Sequence, residues 1–157
     1  VEKPSPSIRI YVDADACPVK DEVYRVAKRY ALGVFVVSNG RIRIPDDPLV
    51  EMVVVSGHFD AADAWIADRV TPTDVAVTSD IPLASLCLAK GARVLDPKGK
   101  VFTEESIGDA LANRELMAYL RDTGNITGGP APFEPRDRSR FLQKLDDLVQ
   151  ALLRANP

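Results

Sequence analysis

The stretch Ile8-Arg9-Ile10-Tyr11-Val12-Asp13-Ala14-Asp15-Ala16-Cys17-Pro18 decides the fold. Its apolar, β-prone first half ends on two aspartates, and a proline suited to the first turn of a helix follows. In open α/β sheets ligands bind in the crevice beyond the carboxyl ends of the strands. Asp13 and Asp15 would project there, where a carboxylate serves chemistry more often than packing.

Working outward, Val19, Val23, Val26, Ala27 and Tyr30 recur at helical spacing and predict a helix over 18–31, closed by Gly33. A strand over 34–37 runs into the turn signal Ser38-Asn39-Gly40, and a third apolar run covers 50–55. A helix over 60–70, a strand over 75–78, a helix from Pro82 to Lys90 and a strand over 93–95 follow. This alternation predicts an α/β fold of three layers, a mostly parallel central sheet flanked by helices. In the last third the pattern gives a helix over 104–121, a loop over 122–135 rich in glycine and proline, and a final helix over 137–155. There Phe141, Leu142, Leu145, Leu148, Val149, Leu152 and Leu153 form one stripe that should dock on the sheet. Residues 8–157 read as a single domain including these helices, behind a disordered tail at 1–7 that carries two prolines and two serines.

A chain of 157 residues, 46% hydrophobic, can bury a core of its own. It has no apolar run long enough for a membrane span and no signal-peptide pattern at its start, so a cytoplasmic location and no membrane partner are expected. Cys17 and Cys87 match no metal-ligand spacing, which argues against a zinc ribbon or a disulfide framework. A net charge of -3 argues against a general nucleic-acid coat while leaving room for a local basic patch. Self-association is compatible with the chain.

The acids fall at strand-to-helix junctions. Asp13 and Asp15 follow the first strand, Asp60 and Asp63 open the helix after the third run, and Asp80 follows the strand at 75–78. All lie on one edge of a parallel sheet, so segments distant in sequence would bring them together. Asp60 and Asp63, three apart, share a helix face, whereas Asp68 points elsewhere and is solvated. Like charges in a cleft call for a cation, and an oxygen-only donor set favours Mg²⁺ or Mn²⁺ over Zn²⁺. Such ions activate water for phosphodiester cleavage, so hydrolysis of a phosphate ester is the leading reaction class. Each acid also has a structural reading, for Asp15, Asp60 and Asp80 can all cap helices.

The segments VDADACPVKDE, FDAADAWI, TSDIPLA, GGPAPF and DRSRF, in this order, resemble the YaiI/YqxD family of bacterial proteins. That family is similar in turn to PIN-like domains, many of them metal-dependent ribonucleases. The resemblance implies a PIN-like fold and a nuclease site acting on RNA in preference to DNA. Asp13, Asp63 and Asp80 match the acidic pattern best and would be metal ligands. Asp15 and Asp60 are neighbours that complete or orient the shell, Asp15 within the catalytic group.

Further residues are weighed beside this set. Cys17, near a helix start, could be an activated thiol, yet a small packed residue fits better, and Cys87 among leucines reads as core. His58 is a minor candidate for a proton shuttle. Arg41 and Arg43 alternate with Ile42 and Ile44, which puts both on one face able to track a phosphate backbone, with Ser38 and Asn39 beside them. Arg136, Arg138 and Arg140 flank a helix start, where cations are disfavoured. Either Glu134 and Asp137 neutralise them, or Arg138 gathers phosphates with the amides of Gly128 and Gly129. Two competing functions remain. Asp13-Ala14-Asp15 also resembles the start of haloacid-dehalogenase-like phosphatases and phosphotransferases, with Asp13 as nucleophile and Asp15 as acid, although Cys17 stands where that pattern has threonine or valine. A non-catalytic PIN-like module that binds RNA or protein is the other.

Overall fold

The computed structural model of the chain describes residues 8–15, 17–56, 60–126 and 131–156. The expected tail at 1–7, His58, Gly128 and Gly129 lie outside the described residues. In order, the elements are β1 (Arg9–Asp13), α1 (Lys20–Tyr30), β2 (Gly33–Ser38), β3 (Val50–Val54), α2 (Ala61–Arg69), β4 (Val75–Val77), α3 (Ile81–Ala89), β5 (Arg93–Leu95), β6 (Val101–Phe102), α4 (Glu104–Asp122) and α5 (Pro135–Ala155). The strands lie in the order β3-β2-β1-β4-β5-β6, all parallel except β6, which runs antiparallel to β5. The chain is thus a three-layer α/β fold. Among the described residues no helix is long and apolar enough to cross a membrane.

From β1 the chain winds to one side through β2 and β3, then returns to build β4 and β5 on the other. The reversal makes the gap between β1 and β4 a topological switch point, where the loops part and a crevice opens at the carboxyl ends.

Strand alternation assigns the faces. Ile10 and Val12 of β1 join α1 and α5 in one apolar cluster, together with Val34, Val36, Val75 and Val77. Tyr11 points the other way, into a cluster with Val37, Ala76 and Val94 that α2 and α3 cover through Ile66, Leu83 and Cys87. Asp13 lies two residues beyond Tyr11 and therefore on the α2 and α3 side.

Two local expectations are corrected and one strand is added. α1 does not run on to a glycine cap: Ala31 takes the left-handed conformation at φ 55°, and Gly33 is the first residue of β2. β6 was not read from the sequence. Its hairpin is fixed by Asp96 Oδ1, which accepts the amides of Lys98 and Lys100 at 2.9 Å each. Gly99 in that turn has φ +89°, and a Cβ there would sit 2.8 Å from Arg140 Cγ, so the turn presses directly on α5. Finally, α5 starts at Pro135, two residues early, because Asp137 Oδ2 reaches back to the Glu134 amide at 2.9 Å.

Candidate active site at the sheet switch point

The crevice at the carboxyl edge has a volume of about 370 Å³, and its walls include Asp13, Asp15, Asn39, Asp63, Asp80 and Arg114. Each acid arrives on a different element. Asp13 is the last residue of β1, half-buried, and its Oδ2 accepts the Thr78 hydroxyl at 2.8 Å. The same Thr78 oxygen accepts the Asp80 amide at 2.9 Å, so one buried threonine at the end of β4 fixes both neighbours. Asp80 caps α3, its Oδ1 accepting the Leu83 amide at 3.0 Å, while its other oxygen is not used in the cap. Asp63 sits in the first turn of α2, where the helix dipole favours a carboxylate.

Asp15 does not cap α1. Its carboxylate accepts the Ser38 hydroxyl at 2.6 Å and the Asn39 amide at 3.1 Å, tying the β1 loop to the end of β2. Ser38 is therefore buried, with its hydroxyl committed to Asp15, and stands behind the crevice as a positioning group instead of on its surface. Asn39 is exposed on the wall. Asp60 occupies the N-cap position of α2 but makes no side-chain cap bond, and it is exposed at the rim, outside the described lining. Asp68 is exposed, as its spacing implied.

Proximity of the acids has an electrostatic consequence. Burial, then the facing Asp80 and Asp13 carboxylates, push Asp63 up to about 7, and the protonated Asp63 carboxyl shares a hydrogen bond with Asp80. Asp13 is also raised, first by burial, against which the Thr78 hydrogen bond works, and then by Asp80 and Asp15. Among the described residues no three His, Cys, Asp or Glu side chains are gathered around one point as a finished coordination sphere. The donor chemistry nonetheless fits a hard divalent cation: Asp13, Asp63 and Asp80 present oxygen only, and their mutual repulsion is what such an ion relieves.

Across residues 11–151 the chain matches the profile described as "Uncharacterized BCR, YaiI/YqxD family". The chain belongs to the YaiI/YqxD family. A UPF0178 protein of Nitrobacter winogradskyi is 56% identical over 149 residues, 95% of each chain. One of Rhodopseudomonas palustris is 59% identical over 146 residues, covering 93% of this chain and 92% of the relative. Another, of Bradyrhizobium diazoefficiens, is 58% identical over 146 residues, with 93% and 87% covered. No solved structure matches.

In this YaiI/YqxD chain the basic residues singled out from the sequence divide. Arg41 and Arg43 are exposed while Ile42 and Ile44 pack against the core, so the alternation is real, but the segment forms no strand and neither arginine is in the described crevice wall. Arg138 is committed internally: it bonds Glu22 at 2.6 Å and the Pro18 carbonyl at 2.9 Å and lies over the Phe133 ring at 5.2 Å. Glu22 is buried, so this pair locks α5 to α1, and Arg138 is not in the described crevice wall. Arg136 pairs with Glu134 at 2.7 Å and Arg140 with Asp137 at 3.7 Å, so acids lie beside the cations at that helix start. Both cysteines are free and buried. Burial raises the Cys17 thiol against the lowering effects of the Val19 amide and Lys20, so Cys17 is a packed residue and not an activated nucleophile. A larger cavity of about 580 Å³ lies at the amino ends of β1 to β3, where Arg9 and Glu51 are the charged residues among the described lining. Its walls offer no carboxylate cluster.

Two residues escaped the sequence reading. Thr78 lies beside Asp80 in TSDIPLA, and a hydroxyl two residues before a capping aspartate is a signal for an ordered junction. Arg114 carries no local signal. It reaches the crevice because the start of α4 lies beside the end of α3, while Arg114 comes level with Ile81 at the start of α3.

Proposed function

We propose that this YaiI/YqxD protein is a metal-dependent phosphodiesterase that cleaves RNA at the switch-point crevice. The carrying observation is the meeting of Asp13, Asp63 and Asp80, from β1, α2 and the α3 cap, in one crevice where Asp63 is raised to about 7. Perturbed carboxylates in a cleft mark functional sites more often than structural ones. These three would hold Mg²⁺ or Mn²⁺, with Asp60 at the rim. Bound there, the ion would stabilise charge developing on the scissile phosphate and lower the pKa of water. Thr78 aims Asp13 and Asp80 together, and Ser38 with Asn39 aims Asp15 at the same space. Asp63, raised by burial and by its carboxylate neighbours, would give up its proton as the ion binds and so serve as a ligand. RNA is preferred over DNA on the likeness to PIN-like ribonucleases. The cytoplasm suits the two free, buried thiols, which a reducing compartment preserves.

Purified protein with Mn²⁺ or Mg²⁺ is expected to cleave single-stranded RNA within a panel that also holds structured RNA, DNA and small phosphomonoesters. Asp13→Asn and Asp80→Asn proteins, prepared identically and shown to be folded, should lose the activity by about 100-fold or more, as expected for removal of one group that stabilises transition-state charge. Equal cleavage by wild type and variants marks a contaminant and removes the assignment. Turnover of phosphomonoesters alone would transfer Asp13 to the nucleophile role of a phosphotransferase.

A further inference from the structure

Resting on the phosphodiester reading of the crevice, we propose that Arg114 is its phosphate-binding residue, taking the backbone phosphoryl oxygens from the α4 side while the carboxylates face them from the strand ends. Arg114 is exposed and lines the crevice with Asp13, Asp63 and Asp80. Four other arginines, Arg29, Arg136, Arg138 and Arg140, are in ion pairs. Among the described residues Arg114 is in none, although four carboxylates share its crevice. An arginine that stands with acids around one cavity and touches none of them leaves a gap with a positive wall on α4 and a negative wall on the sheet edge. A cationic ligand would be repelled from one wall and a neutral one gains little from either. A phosphate fits both, accepting from the guanidinium fork on one side and bridged to the carboxylates by a divalent cation on the other.

The shape of α4 agrees. Of its 19 residues Ile107 is the one fully buried, while Ala110, Leu111, Met117 and Ala118 are half-buried along it. α3, the helix it lies along, has 9 residues. Arg114 stands ten residues into α4, about 15 Å along it, which carries the side chain from the end of α3 to its start and hence to the crevice.

The test uses the full chain with Mn²⁺ and two probes. The first is inorganic phosphate, followed by the broadening of its phosphorus resonance when held beside bound Mn²⁺. The second is single-stranded RNA, followed as KM and kcat. Arg114→Gln should weaken phosphate binding and raise KM by about 10- to 100-fold, the range for hydrogen bonds to a charged partner, and Arg114→Lys should recover part of it. Mn²⁺ binding should not weaken, since losing a positive charge beside the carboxylates favours a cation there, which separates loss of phosphate from loss of the metal. Equal phosphate broadening in wild type and Arg114→Gln overturns the inference, as does no broadening in the wild type. If wild type holds phosphate through Arg114 but cleaves no RNA, the nuclease reading falls and the phosphate site stands. If RNA is cleaved with unchanged KM in Arg114→Gln, the nuclease reading stands and Arg114 is removed from it.

Discussion

The two longest helices of the molecule are close in length and opposite in use. α5 has 21 residues and buries Phe141, Leu145, Val149 and Leu152 in the larger apolar cluster. It is also pinned by Asp146, which accepts from Arg29 at 2.7 Å and from the Tyr30 hydroxyl at 2.9 Å. α4 has 19 residues, buries Ile107, and leaves Leu116 52% and Tyr119 63% exposed. α5 closes a face of the sheet, whereas α4 lies half-buried along α3 and carries a charged side chain to the acidic edge. A long helix is thus no sign of a core element, and the burial of its stripe separates the two uses.

Breaking the first half of this comparison should produce the largest effect on stability. Phe141→Ala removes a fully buried ring whose backbone also abuts the Gly99 turn. It is expected to cost about 3–5 kcal/mol, the range for deletion of a core phenylalanine, read by urea denaturation in EDTA. A loss under about 1 kcal/mol would mean that α5 rests on the sheet without clamping it.

The same contrast explains what the sequence could and could not tell. α5 was legible because its apolar residues repeat on one stripe. β1, α1 and the acidic junctions were legible because strand ends, prolines and aspartates are local signals. β6 was missed because two residues carry no periodicity, though Asp96 and Gly99 announce its turn. Asp13, Asp63 and Asp80 could be assembled from topology alone, since parallel strands put every β-to-α junction on one edge. The arginines could not be sorted, because what decides between Arg114 and Arg138 is the partner across space. Buried Glu22 takes Arg138, and no described carboxylate takes Arg114. Asp15 and Ser38 were both named from sequence, but their bond at 2.6 Å, which gives Ser38 a positioning role, joins residues from different strands.

A smaller effect should come from the acidic edge that α4 approaches. Asp63 has an ordinary value of 3.8 and titrates at about 7 in the fold. Between these values the folded chain holds a proton that the unfolded chain has released. Stability from this group is therefore complete below pH about 4 and is lost as pH rises through about 7. Because the carboxyl is only half-buried and lines an open crevice, solvent screening reduces the full linkage to about 1–2 kcal/mol. Asp63→Asn in EDTA should flatten the dependence between pH 4 and 8 and exceed wild type in stability at pH 8 by that amount. Mn²⁺, if held by this cluster, should displace the proton, so its apparent affinity should fall as pH drops below 7. An unchanged slope in Asp63→Asn would place the shared proton elsewhere in the cluster, which Asp13→Asn then tests.

The smallest effect should come from the outer face of α4, and it sharpens the contrast with α5. Leu116 and Tyr119 are large and apolar, three residues apart on one face, and more than half exposed. If this outer face of α4 is free, replacing both with alanine removes little buried area and puts the best helix former in their place, so stability should stay within about 0.5 kcal/mol of wild type. Phosphate and Mn²⁺ binding at the crevice should be unchanged, because Arg114 projects from another side of the helix. If α4 is instead covered by a second copy of the chain, the same double variant should lower stability by about 2 kcal/mol or more, the scale of two buried side chains. The melting temperature would then depend on protein concentration in the wild type and not in the variant. Sedimentation of the two proteins beside their urea curves separates these cases, and the outer face of α4 is free only if both measurements are indifferent to the substitutions.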